Sequence, residues 1–122
     1  MIETIRSLPK AELHLHLEGA VTPALLKRLA DRHSTEWGGR EEAEIAESVF
    51  TIRDRETLAL ARHQILTHLR SPEDYLEVLA EIYRTMADQN IVYSEIFFSP
   101  AARWRLGLEA EEILKTLLEQ SR

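Results

Sequence analysis

The sequence predicts an α/β fold with parallel strands, on three observations. Residues 11–18 alternate between polar and apolar side chains, which is typical of a strand. Residues 91–99 are apolar on both faces apart from Ser94 and Glu95, which is typical of a strand buried in a parallel sheet. Residues 22–90 carry helical patterns, and strands that are separated by helices usually pair in parallel.

The first elements are marked by local signals. Residues 1–10 are predicted to be a short lead-in to the first strand, which Gly19 ends. Thr22-Pro23 is a helix start, because threonine is a good N-cap and proline suits the first helical position. The apolar stripe of this helix, which extends to about His33, comprises Leu25, Leu26, Leu29 and Ala30.

The middle and end of the chain are predicted to be mainly helical. Residues 34–50 are predicted to form a mobile linker or a short helix, and a longer helix is predicted from Arg53 to about Arg70. Ser71-Pro72 starts a helix whose buried face comprises Tyr75, Leu76, Leu79, Ile82, Tyr83 and Met86. A last helix over residues 109–120 has a core side formed by Ile113, Leu114, Leu117 and Leu118.

Two strands are too few for a complete parallel sheet, because both edges stay open and little surface is buried. A (β/α)₈ barrel usually needs about 250 residues. The chain of 122 residues is therefore expected to form the N-terminal portion of such a barrel.

Composition narrows the possible functions. The chain is 44% hydrophobic and 30% charged, as expected for one soluble globular unit. Its net charge of −6 argues against a nucleic-acid partner, and the lack of a long apolar run argues against a membrane partner. Because cysteine is absent, disulfides and thiolate metal sites are excluded, and a cytoplasmic location is expected.

The first strand places imidazoles on one face. Glu12, His14, His16 and Glu18 are expected to share this face, and the other carries the leucines at 13, 15 and 17. Alternation alone also fits a half-exposed antiparallel strand. Two histidines favour a metal site instead, because neutral imidazole is a common metal ligand and side chains two apart on a strand reach one ion. The HxH pattern by itself is weakly specific.

Catalytic zinc commonly needs three protein ligands and a water. The other histidines, His33, His63 and His68, fall in helical or linker segments, where a surface or helix-end role is expected. The sequence therefore supplies half of a metal site.

Longer motifs resemble the adenosine/adenine deaminase family of metal-dependent aminohydrolases. LPKAELHLHLEGAVTP, residues 8–23, matches the lead-in, the HxHxEG core and the T-P helix start in order. LRSPEDYLEVLAEIYRTMADQNIVYSEIFFSP, residues 69–100, is similar to the helix and second strand of the family. RLGLEAEEIL resembles the helix that follows. The resemblance spans nearly the whole chain but only the N-terminal part of the barrel, so residues 1–122 are expected to be one partial barrel domain.

The resemblance implies a (β/α)₈ barrel that binds one zinc ion. His14 and His16 match the paired zinc ligands, and His16 also lies near the substrate. Glu18 occupies the position where adenosine deaminases usually carry a substrate-binding aspartate. Adenine deaminases and several bacterial relatives share HLHLEG, so the implied substrate is a free base, adenosine or a modified adenosine. Gly19 allows close backbone approach below the site.

Residues 34–70 match the helical segment that caps the pocket in the family, and Phe50 and Leu58 are expected to cover the purine. The third zinc histidine and the acid/base residues of the family are expected to lie beyond residue 122, so no catalytic residue is assigned within this chain.

Five residues around the second strand receive no catalytic role. Glu95 is expected to be structural, paired with a cation that lines the barrel, because a buried carboxylate needs a partner. Tyr93 and Ser94 are expected to fill the core or barrel, and Arg103 and Trp104 to lie on the rim without chemistry.

The resemblance thus implies zinc-dependent hydrolytic deamination of a purine by the complete protein, and the 122-residue chain alone is expected to be inactive. One alternative is a truncated or split fragment that has no activity and associates into a homo-oligomer. Another is a different HxH barrel metallohydrolase, such as a phosphoesterase.

Overall fold

The computed structural model describes residues 1–121, so the last residue of the predicted partial domain lies outside the described part. The strands are β1 (Lys10–His16) and β2 (Ile91–Phe97). The helices are α1 (Ile2–Ser7), α2 (Pro23–His33), α3 (Glu42–Val49), α4 (Arg55–His68), α5 (Pro72–Asp88), α6 (Pro100–Trp104) and α7 (Ala110–Gln120), and a 3₁₀ turn covers Leu17–Ala20. No helix within residues 1–121 is both long and apolar enough to cross a bilayer.

The two strands pair in parallel, as predicted. Lys10 lies opposite Ile91 at one end of the ladder, and His16 lies opposite Phe97 at the other. The sheet has one face covered by helices, where Leu15 and Ile96 pack against the core. The other face, which carries His14, His16 and Phe97, is exposed within residues 1–121. This arrangement places both imidazoles on the uncovered face of the sheet.

Two predictions about strand burial are wrong for the described part of the chain. The second strand was expected to be buried on both faces, but Val92, Tyr93 and Phe97 are 68%, 53% and 43% exposed. Leu13, on the first strand, is 58% exposed. Helices of residues 1–121 pack against only one face of the sheet, and register shifts at Lys10/Ala11 and Glu12/Leu15 interrupt the alternation of side chains near Val92 and Leu13.

The predicted helix starts at Thr22 and Ser71 are confirmed. Thr22 Oγ1 accepts a hydrogen bond from Leu25 N at 3.2 Å, and Ser71 Oγ accepts one from Asp74 N at 3.4 Å. These bonds satisfy backbone donors that the first turn of a helix leaves free. The start of α4 is two residues later than predicted, because Asp54 forms a reciprocal cap with Thr57.

The segment at 34–50 contains the short helix α3, which is one of its two predicted forms. Ile45 and Val49 of α3 are buried in the core, and this packing holds the helix in place. Before it, the Trp37 Nε1–H group donates to Gln64 Oε1 at 3.1 Å, and the Arg40 guanidinium lies 5.1 Å from the Trp37 ring centroid. These contacts fix the turn against α4.

The hydrophobic core lies between the sheet and the helices α2, α3, α4, α5 and α7. The predicted α2 stripe is fully buried, but three side chains that were expected on the buried faces of later helices are not. Tyr83 is 41% exposed, Leu114 is 41% exposed and Leu118 is 53% exposed. Each of these side chains lies at the edge of the apolar stripe of its helix, and no other element of residues 1–121 covers that edge.

A buried carboxylate joins α2 to α5. Asp74 is fully buried, and its oxygens accept hydrogen bonds from Arg32 Nη1 at 2.7 Å and His33 Nε2 at 2.9 Å. The backbone N–H groups of Arg70 and Ser71 donate to the same side chain at 2.8 Å and 3.0 Å. Burial alone would raise the pKa of Asp74, but these hydrogen bonds outweigh it and hold that pKa below its ordinary value.

Candidate functional site

The two histidines of β1 lie side by side at the carboxyl end of the strand. Their Nε2 atoms are 3.2 Å apart, and their ring centroids are 5.1 Å apart. Phe97 of the neighbouring strand stacks on the His14 ring at 4.5 Å and lies 5.7 Å from the His16 ring. The strand pairing therefore holds both imidazoles against one aromatic side chain.

This spacing fits a shared metal ion. Two nitrogens that bind one tetrahedral zinc ion at about 2.0–2.1 Å lie about 3.3 Å from each other. The observed distance of 3.2 Å is close to that separation. Within residues 1–121 there is no group of three or more His, Cys, Asp or Glu side chains that could hold a metal. The described part of the chain therefore offers two nitrogen donors, both from β1.

Glu18 is not on the strand, and the prediction that it shares the strand face with the histidines is wrong. The strand ends at His16, and the chain turns into the 3₁₀ helix Leu17–Ala20. This turn buries both Leu17 and Glu18, so alternation no longer applies. The Glu18 side chain is 7% exposed, and its Oε1 atom accepts a hydrogen bond from Ser99 N at 3.4 Å. The carboxylate thus lies at the carboxyl end of β2.

A cavity of about 540 Å³ opens beside the histidines. His16, Glu18 and Gly19 form the side of the cavity that belongs to the sheet. The opposite side is formed by the segment that leads into α4 and by α4 itself, through Phe50, Ile52, Arg55, Leu58, Ala59, Ala61, Arg62 and Ile65. The structure therefore brings Phe50 and Leu58 to the same cavity as His16 and Glu18. Arg55 and Arg62 were not singled out from the sequence, where nothing distinguishes them from other helix-surface arginines.

Arg103 was predicted to lie on the rim without chemistry, and the rim placement is wrong. Arg103 belongs to the short helix α6, and its side chain is fully buried. Nη1 donates to Leu69 O at 3.1 Å and to Leu66 O at 3.4 Å, at the end of α4. Trp104, in contrast, is 71% exposed, as expected for the rim. Arg103 therefore fastens the cavity-lining helix to the segment after β2.

Tyr75 lies against Arg103 in the core. The Arg103 guanidinium is 5.2 Å from the Tyr75 ring centroid, and the Tyr75 hydroxyl is buried without a hydrogen-bond partner in residues 1–121. Burial raises the pKa of Tyr75 far above its ordinary value, the Arg103 charge opposes this shift, and the Glu18 charge adds to it. The Tyr75 hydroxyl therefore stays protonated at neutral pH.

The remaining histidines line a second, open cavity of about 410 Å³. His68 was expected to lie at a surface or helix end, and it is the last residue of α4, where it is 2% exposed. Its Nδ1 atom donates to Gln64 O at 2.6 Å, and its Nε2 atom accepts from Thr35 Oγ1 at 2.7 Å. Burial lowers the pKa of His68, and the bond to Gln64 only partly opposes this. His33 is bonded to Asp74, and His63 is exposed.

Glu95 has no cation partner among the ion pairs of residues 1–121. It is exposed, and the Tyr93 hydroxyl donates to its Oε1 atom at 3.0 Å. The expected pairing with a barrel-lining cation is therefore not found in the described part. Ser94 Oγ is buried without a partner there.

Comparison with known proteins decides the family. The family model described as adenosine deaminase matches residues 9–122, which is nearly the whole chain. The chain belongs to the adenosine deaminase family. An adenine deaminase of Pseudomonas putida is 32% identical over 116 residues, which cover 93% of this chain and 36% of that protein. An uncharacterized deaminase of Schizosaccharomyces pombe is 33% identical over 114 residues, which cover 93% of this chain and 33% of that protein.

The fold of this adenosine deaminase family member is also similar to a solved structure. The crystal structure of an adenine deaminase from Arthrobacter aurescens superposes with a TM-score of 0.78 at 24% identity, covering 91% of this chain and 34% of that one. The predicted fold class, the N-terminal portion of a (β/α)₈ barrel, is confirmed. The chain spans about a third of the length of the relatives that it matches.

Proposed function

We propose that this chain supplies the first third of a zinc-dependent purine deaminase, in which His14 and His16 hold the metal and His16 and Glu18 contact the substrate. The observation that carries the proposal is the pair of Nε2 atoms 3.2 Å apart beside a cavity that Glu18 also lines. Membership of a family whose named relatives are deaminases supports the same conclusion. The substrate would be adenine, adenosine or a modified adenosine, and the products would be ammonia and the 6-oxo purine.

The residues around the cavity would have three roles, which are metal binding, coverage of the purine ring and orientation of the substrate. A zinc ion at the histidine pair would supply Lewis acidity, which lowers the pKa of a water toward ~7. The apolar side chains of the cavity, including Phe50 and Leu58, would cover the purine ring and exclude bulk water. Glu18, held by Ser99 N, would orient the substrate by accepting its hydrogen bonds.

Metal binding is tested on the chain itself. We expect zinc to shift the imidazole NMR signals of His14 and His16 together, and His14→Ala to abolish the response of His16. His63→Ala is the matched control, since His63 is exposed and lies in the other cavity. The proposed site is wrong if zinc instead shifts the signals of His33, His63 and His68. It is also wrong if zinc shifts the signals of neither His14 nor His16, since the 3.2 Å contact would then reflect only a proton shared by the two rings.

Activity is tested with and without the rest of a barrel. The 122-residue chain with zinc should release no ammonia from adenine or adenosine, because its described part lacks a third metal ligand. A chimera that joins this chain to the remaining two thirds of the Pseudomonas putida adenine deaminase should release ammonia, and His16→Ala should abolish this. A folded chimera that hydrolyses a phosphate ester but does not deaminate would favour the phosphoesterase alternative.

A second candidate is a non-catalytic fragment that pairs with a copy of itself. The exposed side chains of the uncovered sheet face, among them Tyr93 and Phe97, and the open edges of the two-stranded sheet favour it. Light scattering separates the two cases, because a compact monomer contradicts self-association. For either candidate the cysteine-free composition supports our proposal of a cytoplasmic location.

A further inference from the structure

Two arginines on one flank of α4 face the cavity beside the histidine pair. Arg55 and Arg62 both line this cavity, together with His16 and Glu18. They are separated by two helical turns, which is about 10.5 Å along the helix axis. Both arginines are exposed, so both guanidinium groups are accessible to a ligand in the cavity.

Neither arginine has a carboxylate partner in the described part of the chain. No ion pair or side-chain hydrogen bond of residues 1–121 includes Arg55 or Arg62. Carboxylates are nevertheless plentiful, since the chain has 21 Asp and Glu against 15 Lys and Arg. The surface arginines Arg28, Arg40 and Arg84 each pair with a glutamate. The cavity therefore holds two guanidinium groups that the nearby acidic residues leave free.

The cavity lining has a net positive charge although the chain is acidic. Glu18 is the one carboxylate among its lining residues in the described part, and Ser99 N already donates to it. The other lining side chains opposite His16 are apolar. A flat base can pack on this apolar surface while an anionic group of the same molecule reaches the arginines. Guanidinium binds phosphate through two parallel charge-assisted hydrogen bonds, which is its strongest mode of recognition.

We propose that Arg55 and Arg62 form a phosphate subsite, so that the substrate is a purine nucleotide and not a free base or nucleoside. The inference rests on the proposed purine site, which it makes more specific. An uncharged substrate would leave both guanidinium groups at the cavity without the anion that their positions favour.

The test is ligand binding to the 122-residue chain, followed by NMR of the arginine Nε–H groups and the α4 backbone. The probes are adenosine monophosphate, adenosine and inorganic phosphate. We expect the monophosphate to bind about 10-fold more tightly than adenosine, because charge-assisted hydrogen bonds are added. Raising the salt from about 0.05 M to about 0.3 M should reduce this preference, since ions screen exposed charges.

Variants assign the effect to the two side chains. Arg55→Gln and Arg62→Gln should each weaken binding of the monophosphate about 3-fold or more and leave adenosine binding unchanged. Arg62→Lys should recover part of the loss, because it keeps the charge but not the planar fork. Arg84→Gln is the matched control, since Arg84 pairs with Glu81 on α5 outside this cavity. Both cavity arginines are exposed, so their glutamine variants should fold, and the same spectra verify this.

Each outcome bears on one of the two proposals. Equal affinities for adenosine and its monophosphate would overturn the phosphate subsite and leave the purine site standing. Binding of inorganic phosphate and the monophosphate with equal affinity would support the subsite and contradict the purine site. If no phosphate-containing probe shifts Arg55 or Arg62, or if Arg84→Gln has the same effect as the cavity variants, the subsite is overturned.

Discussion

Replacing Asp74 by asparagine should destabilise the fold strongly, although the two side chains have almost the same shape. An asparagine oxygen in the place of Oδ2 can still accept from Arg70 N, Ser71 N and His33 Nε2. Its amide group then faces Arg32 Nη1, which donated to Oδ1 at 2.7 Å, so one donor opposes another. The variant thus loses one charge-assisted hydrogen bond and gains a repulsive contact.

The magnitude follows from this loss. A hydrogen bond to a charged group contributes about 1.5–3 kcal/mol, and breaking a buried ion pair costs about 3–5 kcal/mol. The lower part of these ranges applies because Arg32 is 44% exposed and water can solvate it. We expect Asp74→Asn to lower the free energy of unfolding by about 2–3 kcal/mol, which is a large share of the roughly 5–15 kcal/mol of a typical domain.

The assay is urea unfolding followed by tryptophan fluorescence. Glu77→Gln is the control, because Glu77 is the other carboxylate on Arg32 but is 31% exposed, and it should cost less than about 1 kcal/mol. The lowered pKa of Asp74 means that its contribution is present above the unfolded-state value of about 3.9 and is lost as the pH falls further. Equal destabilisation by the two variants, or an unchanged acid sensitivity in Asp74→Asn, would refute the reasoning.

Three further predictions concern stability. The free energy of unfolding should decrease as the pH falls below about 6.5, because burial lowers the pKa of His68 and the unfolded chain is protonated first. His68 should contribute a slope of at most about 1.4 kcal/mol per pH unit. Urea titrations at several pH values should show a flatter slope for His68→Asn, and an identical slope would contradict this prediction. Thr22→Ala should cost about 1 kcal/mol and Thr22→Ser much less in the same assay, because the hydroxyl caps α2. Gly38→Ala should lower the melting temperature with a cost of about 1 kcal/mol or more, since the added Cβ would lie 3.1 Å from Ala30 O and 3.1 Å from Thr35 O; an unchanged melting temperature would show that this turn adapts.

Local signals made much of the fold predictable. The helix starts at Thr22 and Ser71 depend on side chains that bond to backbone only three residues away, so sequence contains the whole interaction. The alternation that placed His14 and His16 together likewise needs only a strand, and the structure has one over those residues.

Features that depend on distant contacts were not predictable in this way. Glu18 leaves the strand face because a 3₁₀ turn buries Leu17 beside it, which alternation does not encode. Arg103 is buried because the end of α4, 34 residues earlier in the chain, offers it a carbonyl group. His68 is buried for a similar reason, since its partner Thr35 is 33 residues away.

The parallel pairing of β1 with β2 has a consequence for the order of folding. The contact of Ser99 with Glu18 spans 81 residues, whereas the bonds of Arg32 to Asp74 and of Thr35 to His68 span 42 and 33. Closing the longest loop costs the most chain entropy, so early contacts among the helices favour the later docking of β2. During synthesis on the ribosome, the two imidazoles of β1 can therefore meet Phe97 only after α2, α3, α4 and α5 have emerged.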